Sequence, residues 1–216
     1  MKNLFQKAKE MEGKMGRTVK NCPFRMKYHI MPPVGWLNDP NGLCQFKGVF
    51  HTYCQYSTLN VQGGGGFWGH CTSKDLFHWE YQDPPLVADR EEDRNGVYSG
   101  SALVEEDKIN IFYTGNVKLP GDYDYVDKGR LSSQILVTTE DGQHMSEKKV
   151  VIQSGDYPEH ITLHVRDPKV WKEGNTYYMV LGARARDFDE TGCRRDRGCA
   201  LLYVSEDKEH WSLERE

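Results

Sequence analysis

The stretch Ser73-Lys74-Asp75, followed after two residues by His78-Trp79, recurs twice at equal distances along the chain. The later copies are Thr139-Glu140-Asp141 with His144-Met145, and Ser205-Glu206-Asp207 with His210-Trp211. Both offsets are 66 residues. Two equal offsets across five matched positions are not expected by chance, and they indicate an internal structural repeat.

Strand-like segments precede each copy of the pattern. Every copy directly follows a short apolar run, and an aromatic segment with a central turn comes before that run. The apolar runs are 67–71, 135–137 and 201–204, and the aromatic segments are 46–53, 107–113 and 173–178. Aromatic runs bounded by Gly, Asp and Asn are typical of antiparallel strands with tight turns. Each repeat therefore predicts one sheet, and the fold class is all-β.

Repeated sheet units of this kind are typical of a β-propeller with about four strands in each blade. The chain has 216 residues, which holds little more than three such units. Because propellers close with roughly four to eight blades, we expect an incomplete propeller of about three blades over residues 27–216. The alternative interpretation is an open stack of β-hairpins that buries its faces by dimerisation.

The first 26 residues differ from the repeats. Leu4, Ala8, Met11 and Met15 recur at helical spacing in a Lys-rich segment, which predicts a short amphipathic helix. A solvated arm is the alternative. We expect residues 1–26 to form this helix or arm ahead of the propeller.

Composition excludes several classes of function. Lys and Arg number 28 against 32 Asp and Glu, so a nucleic-acid binder that works through bulk positive charge is excluded. No apolar run approaches the roughly 18 residues of a membrane span, and the N-terminus lacks the apolar run of a signal peptide. We therefore expect a cytoplasmic protein whose partner is neither nucleic acid nor a membrane.

Six cysteines show no C-x-x-C spacing and no zinc-finger arrangement with histidine. They are interpreted as reduced thiols. Cys44 and Cys54 lie symmetrically about Val49, so a disulfide across a hairpin is the alternative, although a cytosolic setting disfavours it.

Two Asp-Pro pairs stand ahead of the first and third hairpins, in Asn38-Asp39-Pro40-Asn41-Gly42 and Arg166-Asp167-Pro168. Equivalent positions of different blades meet at the rim of the central channel, so both carboxylates are predicted to converge on one axial pocket. The middle unit has Tyr98-Ser99-Gly100-Ser101 there, which supplies hydroxyl and backbone donors instead of a charge. Taken singly, each Asp-Pro is also ordinary turn sequence.

Aromatic and amide side chains lie near these carboxylates in the sequence, namely Trp36, Gln55 and Trp68. Sugar rings present C–H faces for stacking and hydroxyls for hydrogen bonding, so this combination indicates a sugar site. Trp68 follows four glycines at 63–66, which predicts a mobile approach for its indole ring. Packing in the blade core is the alternative for both tryptophans.

These residues resemble the signature of the family 32 glycoside hydrolases, the β-fructofuranosidases that include invertases and sucrose-6-phosphate hydrolases. The matching motifs keep the family's order over about residues 27–216. They are Trp36-Leu37-Asn38-Asp39-Pro40-Asn41-Gly42, Tyr53-Cys54-Gln55-Tyr56, Trp68-Gly69-His70 with Ser73-Lys74-Asp75-Leu76, Tyr98-Ser99-Gly100-Ser101 and Arg166-Asp167-Pro168. The family fold is a five-bladed propeller followed by a β-sandwich. The resemblance therefore implies that the last blades and the β-sandwich are absent from this chain.

The resemblance also implies a retaining mechanism. Asp39 resembles the nucleophile that attacks the anomeric carbon of a β-fructofuranosyl unit. Asp167 resembles the carboxylate that binds fructose hydroxyls and stabilises the oxocarbenium-like transition state, and Arg166 would orient both carboxylates. The remaining members of the implied fructose subsite are Trp36, Asn38, Gln55, Trp68 and Ser99.

A retaining glycosidase also needs a second carboxyl group as acid and base. In the family this group is the Glu of a Glu-Cys-Pro motif in the blade after Arg-Asp-Pro, and no Glu-Cys-Pro occurs here. Glu214 and Glu216, at the outer part of the third blade, are not assigned as the acid. We expect the chain alone to be inactive.

Two departures from the family pattern concern the substrate. Ser57-Thr58 stands where the family often has Asn-Pro, which changes one wall of the fructose pocket. Five arginines between Arg184 and Arg197 suit phosphate recognition. Because the acidic residues among them nearly cancel their charge, a solvated loop with internal ion pairs is the favoured interpretation.

The sequence thus predicts a hydrolase of β-fructofuranosides, with sucrose or its 6-phosphate as the first candidates. We expect a small-molecule sugar as partner, no metal and no organic cofactor. Exposed propeller edges leave oligomerisation open. The alternatives are a non-catalytic fructoside-binding fragment, a fragment that needs a partner chain to complete the propeller, and a propeller interaction scaffold.

Overall fold

The computed structural model describes residues 4–64 and 66–216, in which three four-stranded antiparallel sheets follow one N-terminal helix. The first sheet consists of β1 Trp36–Phe46, β2 Val49–Ser57, β3 Phe67–Ser73 and β4 Glu80–Val87. The second consists of β5 Val97–Glu105, β6 Lys108–Lys118, β7 Arg130–Thr139 and β8 Lys149–Ile152. The third consists of β9 Ile161–Glu173, β10 Thr176–Ala185, β11 Arg197–Ser205 and β12 Ser212–Arg215. The helix, α1, spans Leu4–Lys20, and a 3₁₀ turn spans Glu91–Asp93.

Each sheet is one blade, with its strands in sequence order from the centre outward. The innermost strands β1, β5 and β9 pack side by side, β1 against β5 and β5 against β9. This arrangement confirms the predicted all-β propeller architecture with three blades present. The interpretation as a stack of hairpins is wrong, because every repeat forms a complete four-stranded sheet.

The repeated sequence pattern forms the turn between the third and fourth strands of each blade. In blade 1, Ser73 Oγ accepts the backbone N–H groups of Asp75 and Leu76. Asp75 Oδ1 accepts the N–H groups of Phe77 and His78, and His78 Nδ1 lies 2.7 Å from Asp75 Oδ2. The same contacts recur around Asp141 and Asp207. The spacing of the pattern is therefore set by local hydrogen bonds, which explains its regularity.

Apolar side chains alternate between the two faces of each blade, as a strand period of two requires. On β6, Tyr113 packs into the core between blades 1 and 2, whereas its neighbour Phe112 packs into the core between blades 2 and 3. Tyr53 and Trp68 of blade 1 complete the first of these cores. The three blades thus stack through two continuous cores. These cores fix the positions of the inner strands relative to one another.

Helix α1 covers the face of blade 1 that points away from blade 2. Ala8 is completely buried against Tyr56 and Phe67. The Glu12 carboxylate accepts hydrogen bonds from the hydroxyl groups of Tyr56 at 2.8 Å and Tyr81 at 3.3 Å. The predicted N-terminal helix is confirmed over Leu4–Lys20, and the alternative of a solvated arm is wrong there; residues 1–3 lie outside the described part.

The Glu12 contacts predict that this side chain anchors the helix. Glu12→Ala is expected to lower the free energy of unfolding by about 1–3 kcal/mol, since hydrogen bonds to a charged group are lost from a largely buried position. Urea denaturation followed by circular dichroism measures the change. Lys14→Ala, at an exposed position of the same helix, is the control and should stay within about 0.5 kcal/mol of the parent. Equal losses for both variants would contradict the anchoring role.

All six cysteines are free thiols in the structure. Cys44 pairs with His51 across the β1–β2 hairpin, and Cys54 pairs with Pro40. The disulfide considered for Cys44 and Cys54 is therefore wrong, because the hairpin turns at Lys47-Gly48 rather than at Val49. No helix in the described part of the chain is long and apolar enough to cross a membrane.

Candidate active site

A cavity of about 450 Å³ opens where the inner strands of the three blades meet. Every blade contributes to its lining, which consists of Trp36, Asn38, Asp39, Gln55, Gly64, Tyr98, Ser99, Arg166 and Asp167. Seven of the eight predicted site residues, all except Trp68, are therefore brought together in one place. They come from three separate parts of the sequence, which meet because the inner strands β1, β5 and β9 are neighbours.

A β-bulge on each inner strand carries the site residues. In blade 1 the register moves from Leu37 opposite Tyr56 to Pro40 opposite Cys54, so Asn38 and Asp39 together oppose Gln55. Bulges bend a strand and redirect its side chains, and they are frequent beside active sites. The bulge turns the Asp39 carboxylate into the cavity.

The same irregularity occurs in the other two blades. Tyr98 and Ser99 together oppose Thr114 in blade 2, and Asp167 and Pro168 together oppose Leu181 in blade 3. The two Asp-Pro pairs are consequently one residue out of register with each other. Asp39 is the second residue of its bulge, whereas Asp167 is the first. The predicted match of blade positions is thus corrected by one residue, and both carboxylates still line the cavity.

Asp39 is held by a residue of the next blade. Ser99 Oγ donates a hydrogen bond to Asp39 Oδ2 at 2.8 Å. Nearby, the N–H of Gly100 lies 3.4 Å from Asn41 Oδ1 and donates to it. This contact joins blade 2 to blade 1 and fixes the position of the Asp39 carboxylate at the cavity.

Asp167 has a strained backbone and a crowded carboxyl group. Its φ of 62° lies in the left-handed region, which few residues other than glycine adopt and which the following Pro168 disfavours further. Partial desolvation raises the pKa of Asp167, whose side chain is still 55% exposed; the Arg166 guanidinium lowers this pKa, and the charge of Asp39 raises it. Arg166 Nε lies 3.9 Å from Asp167 Oδ2. Asp39, Arg166 and Asp167 therefore line one cavity, in which the arginine lies beside Asp167.

Gln55 lines the cavity but also ties two blades together. Its side chain is 5% exposed, and Nε2 donates to the backbone carbonyl of Val97 at 2.9 Å. Trp68, in contrast, is completely buried and does not line the cavity. Its ring packs near Tyr53 and Tyr113, as the blade-core alternative describes, and Nε1 donates to the carbonyl of Tyr98 at 3.0 Å.

The glycines ahead of Trp68 contact the cavity directly. Gly64 lines it, and Gly63 lies against the ring of Trp36. Gly65 lies outside the described residues, and the predicted mobile approach of the Trp68 indole does not apply to a ring that is buried between blades. Tyr98, beside Ser99, adds a ring to the lining, and Thr114 of β6 contacts the backbone of Asp167. Sequence reasoning missed Thr114, because only the bulge places it opposite Tyr98-Ser99.

The arginine-rich segment 184–197 forms ion pairs. Arg184 Nε lies 2.7 Å from Asp196, and Arg195 Nε lies 3.2 Å from Asp189. Arg194 pairs with Asp196 and with Asp127. The charges of this segment are thus largely neutralised by ion pairs within it and with Asp127 and Glu216. In the described residues, no group of three or more His, Cys, Asp or Glu side chains could hold a metal ion.

Comparisons with known proteins agree with this geometry. The family model for the N-terminal domain of family 32 glycosyl hydrolases matches residues 29–216. The sucrose-6-phosphate hydrolase of Bacillus subtilis is 37% identical over 208 residues, which cover 96% of this chain and 40% of that protein. The Klebsiella pneumoniae sucrose-6-phosphate hydrolase is 41% identical over 188 residues, covering 87% of this chain and 36% of that protein.

Two solved structures show the same fold. Sucrose-6-phosphate hydrolase from Lactobacillus gasseri superposes with a TM-score of 0.78 at 31% identity, over 95% of this chain and 39% of the other. A Bombyx mori β-fructofuranosidase variant in complex with sucrose gives 0.76 at 29% identity, over 96% and 40%. The chain thus spans about two fifths of the length of the relatives it matches.

Proposed function

Because this chain belongs to glycosyl hydrolase family 32, we propose that it supplies the nucleophile and the fructose subsite of a retaining β-fructofuranosidase. Its substrates are β-fructofuranosides such as sucrose or sucrose 6-phosphate. The observation that carries the proposal is the meeting of Asp39 and Asp167 at one cavity between three blades. No other pair of carboxylates lines that cavity within the described residues.

In the proposed reaction, Asp39 attacks the anomeric carbon of the fructosyl unit while the bond to the leaving oxygen breaks. The product is a covalent fructosyl–enzyme ester, which water then hydrolyses to return Asp39 to its ionised form. Ser99 holds the attacking carboxylate in place. Asp167 binds fructose hydroxyls, and its negative charge stabilises the cation-like centre that develops as the bond breaks.

Arg166 keeps two carboxylates compatible in one pocket. Without a cation, the repulsion between Asp39 and Asp167 would favour protonation of one of them. Trp36 and Tyr98 provide ring faces at the rim, and Asn38 and Gln55 provide amide groups. This set suits a sugar, which offers C–H faces and hydroxyls together.

The proposal places the general acid outside residues 1–216. The acid of a retaining enzyme stands about 5–5.5 Å from the nucleophile, and Asp39 and Asp167 are the carboxylates among the described lining residues. Glu214 lies on the outer strand β12, and Glu216 is paired with His160 and Arg197. Loss of a general acid costs about 10²–10⁴-fold in rate, so the chain alone is proposed to be inactive.

Because the described lining residues include no carboxylate besides Asp39 and Asp167, a second candidate function is a fragment that binds fructosides without cleaving them. We propose residues 1–26 as a segment ahead of the propeller, helical over Leu4–Lys20, and residues 27–216 as an incomplete catalytic propeller that further blades and a β-sandwich, in the same or a partner polypeptide, would complete. Six free thiols suit a reducing compartment such as the cytoplasm.

Glucose release from sucrose tests the proposal, measured for the 216-residue chain beside a form extended by two further blades. We expect release from the extended form alone, together with saturable binding of fructose by both forms. Activity of the short chain would show that a carboxylate within it acts as the acid. Neither binding nor hydrolysis in either form would overturn the proposed function, and binding without hydrolysis in both would establish the second candidate.

A further inference from the structure

We propose that Thr114, which lies outside the cavity lining, is a positioning residue that holds Asp167 in its catalytic orientation. The inference rests on the proposed function of Asp167. Its starting point is the bulge of blade 3, where the left-handed backbone of Asp167 interrupts the register between β9 and β10. A conformation of this kind persists only where its surroundings hold it in place.

One hydrogen bond from another blade fixes this backbone. The N–H of Asp167 donates to Thr114 Oγ1 at 3.1 Å. The other residue of the bulge, Pro168, has no N–H to donate. Asp167 therefore provides the only backbone donor of its bulge, and Thr114 receives it.

The Thr114 hydroxyl is oriented by a buried polar chain. Tyr157 Oη donates its single proton to the carbonyl of Ser132, so it accepts the bond from Gln134 Nε2 at 2.9 Å. Because the Gln134 amino group faces Tyr157, its carbonyl oxygen Oε1 faces Thr114. The Thr114 hydroxyl donates a hydrogen bond to this oxygen at 2.7 Å. Thr114 and Gln134 are both completely buried. The proton of Thr114 is thus committed to Gln134, which leaves its lone pairs to accept the Asp167 N–H.

Blade 1 makes a related contact with blade 2, in which the side chain donates instead of accepting. Gln55 is the residue opposite the bulge of blade 1, as Thr114 is in blade 2. Each reaches the bulge region of the following blade: Gln55 binds the carbonyl of Val97, and Thr114 binds the N–H of Asp167. The residue opposite one bulge thus positions the next, and the site is held at both blade boundaries.

Thr114→Val tests the inference, because valine keeps the shape and removes the hydroxyl. Amide hydrogen exchange at residue 167, followed by NMR in the 216-residue chain, is expected to accelerate about tenfold or more as the backbone opens locally. In the extended, sucrose-hydrolysing form, kcat/KM should fall about 10- to 100-fold, since a small misplacement of a catalytic group has effects of that size. Both kcat and KM should change, because Asp167 contacts substrate and transition state. Thr114→Ser should restore both properties.

Thr162→Val is the matched control. Thr162 is a buried threonine of β9 whose hydroxyl accepts the N–H of His164, and it does not line the cavity. Exchange at residue 167 and the kinetics should stay close to those of the parent. If Thr114→Val does not fold, Thr114→Ala also removes the hydroxyl and should raise exchange at residue 167 in the same direction.

Parallel measurement of Asp167→Ala separates the two hypotheses. Unchanged hydrolysis in Asp167→Ala would overturn the proposed role of Asp167 and therefore the proposed function. Loss of hydrolysis in Asp167→Ala, with parent-like exchange and kinetics in Thr114→Val or, if that variant does not fold, in Thr114→Ala, would overturn the positioning role of Thr114 alone.

Discussion

Asp39→Asn is expected to abolish sucrose hydrolysis in an extended form of the protein while leaving sugar binding intact. Asparagine keeps the size of the side chain and an oxygen that can accept the hydrogen bond from Ser99. It cannot form the ester with the anomeric carbon. The loss in kcat should reach about 10⁴-fold or more, because removing a nucleophile costs at least as much as removing a general acid.

Two measurements check this result. Initial rates of glucose release give the loss in kcat, and isothermal titration with fructose gives the dissociation constant, which should change by less than about threefold since the amide still fills the site. Asp83→Asn is the control, because this exposed carboxylate lies on the same blade and pairs with Lys9 instead of facing the cavity. Comparable activity of the Asp39 and Asp83 variants would remove Asp39 from the mechanism.

Most of the fold could be predicted from the 66-residue repeat. Its turn is closed by local bonds, such as those from Ser73 and Asp75 to the following backbone N–H groups, so the same residues recur wherever the turn recurs. Blade number and strand order follow from that spacing. The hairpin register was harder to predict, because the turn at Lys47-Gly48 places Cys44 opposite His51, and an irregularity between Asn41 and Cys44 then places Cys54 opposite Pro40.

The residue types of the candidate site could be predicted from the sequence, but the directions of their side chains could not. Asp39, Ser99 and Asp167 do share one cavity, as equivalent blade positions suggested. The bulges that aim them have no sequence signature here, and neither does Thr114, whose contact with Asp167 spans two blades. The direction of the Trp68 side chain was likewise not predicted. Its place near the glycines suggested a sugar contact, yet strand alternation directs its ring into the core between blades.

A second large effect is expected from Lys148→Met, which should destabilise the fold by about 3–5 kcal/mol because it leaves the buried carboxylate of Asp93 without its cation. Asp93 is completely buried, and Lys148 Nζ lies 2.6 Å from its Oδ2. The same ammonium group binds Asp89 and the carbonyl of Val87, at the end of blade 1. This pair therefore ties the connection between blades 1 and 2 to the outer part of blade 2.

The double variant Lys148→Met with Asp93→Asn distinguishes a buried unpaired charge from lost packing. Asparagine can still accept the hydroxyl of Tyr113, which donates to Asp93 at 2.8 Å, and it carries no charge. Most of the lost stability should return, since replacing both partners of a buried pair is far less costly than removing one. Urea unfolding of the parent, both single variants and the double variant gives the coupling energy.

Lys149→Met is the control: its partner Glu209 and the lysine itself are exposed, so the loss of stability should stay below about 1 kcal/mol. If Lys148→Met were no more costly than Lys149→Met, or if the double variant were less stable than Lys148→Met alone, the buried pair would not be what joins these two blades.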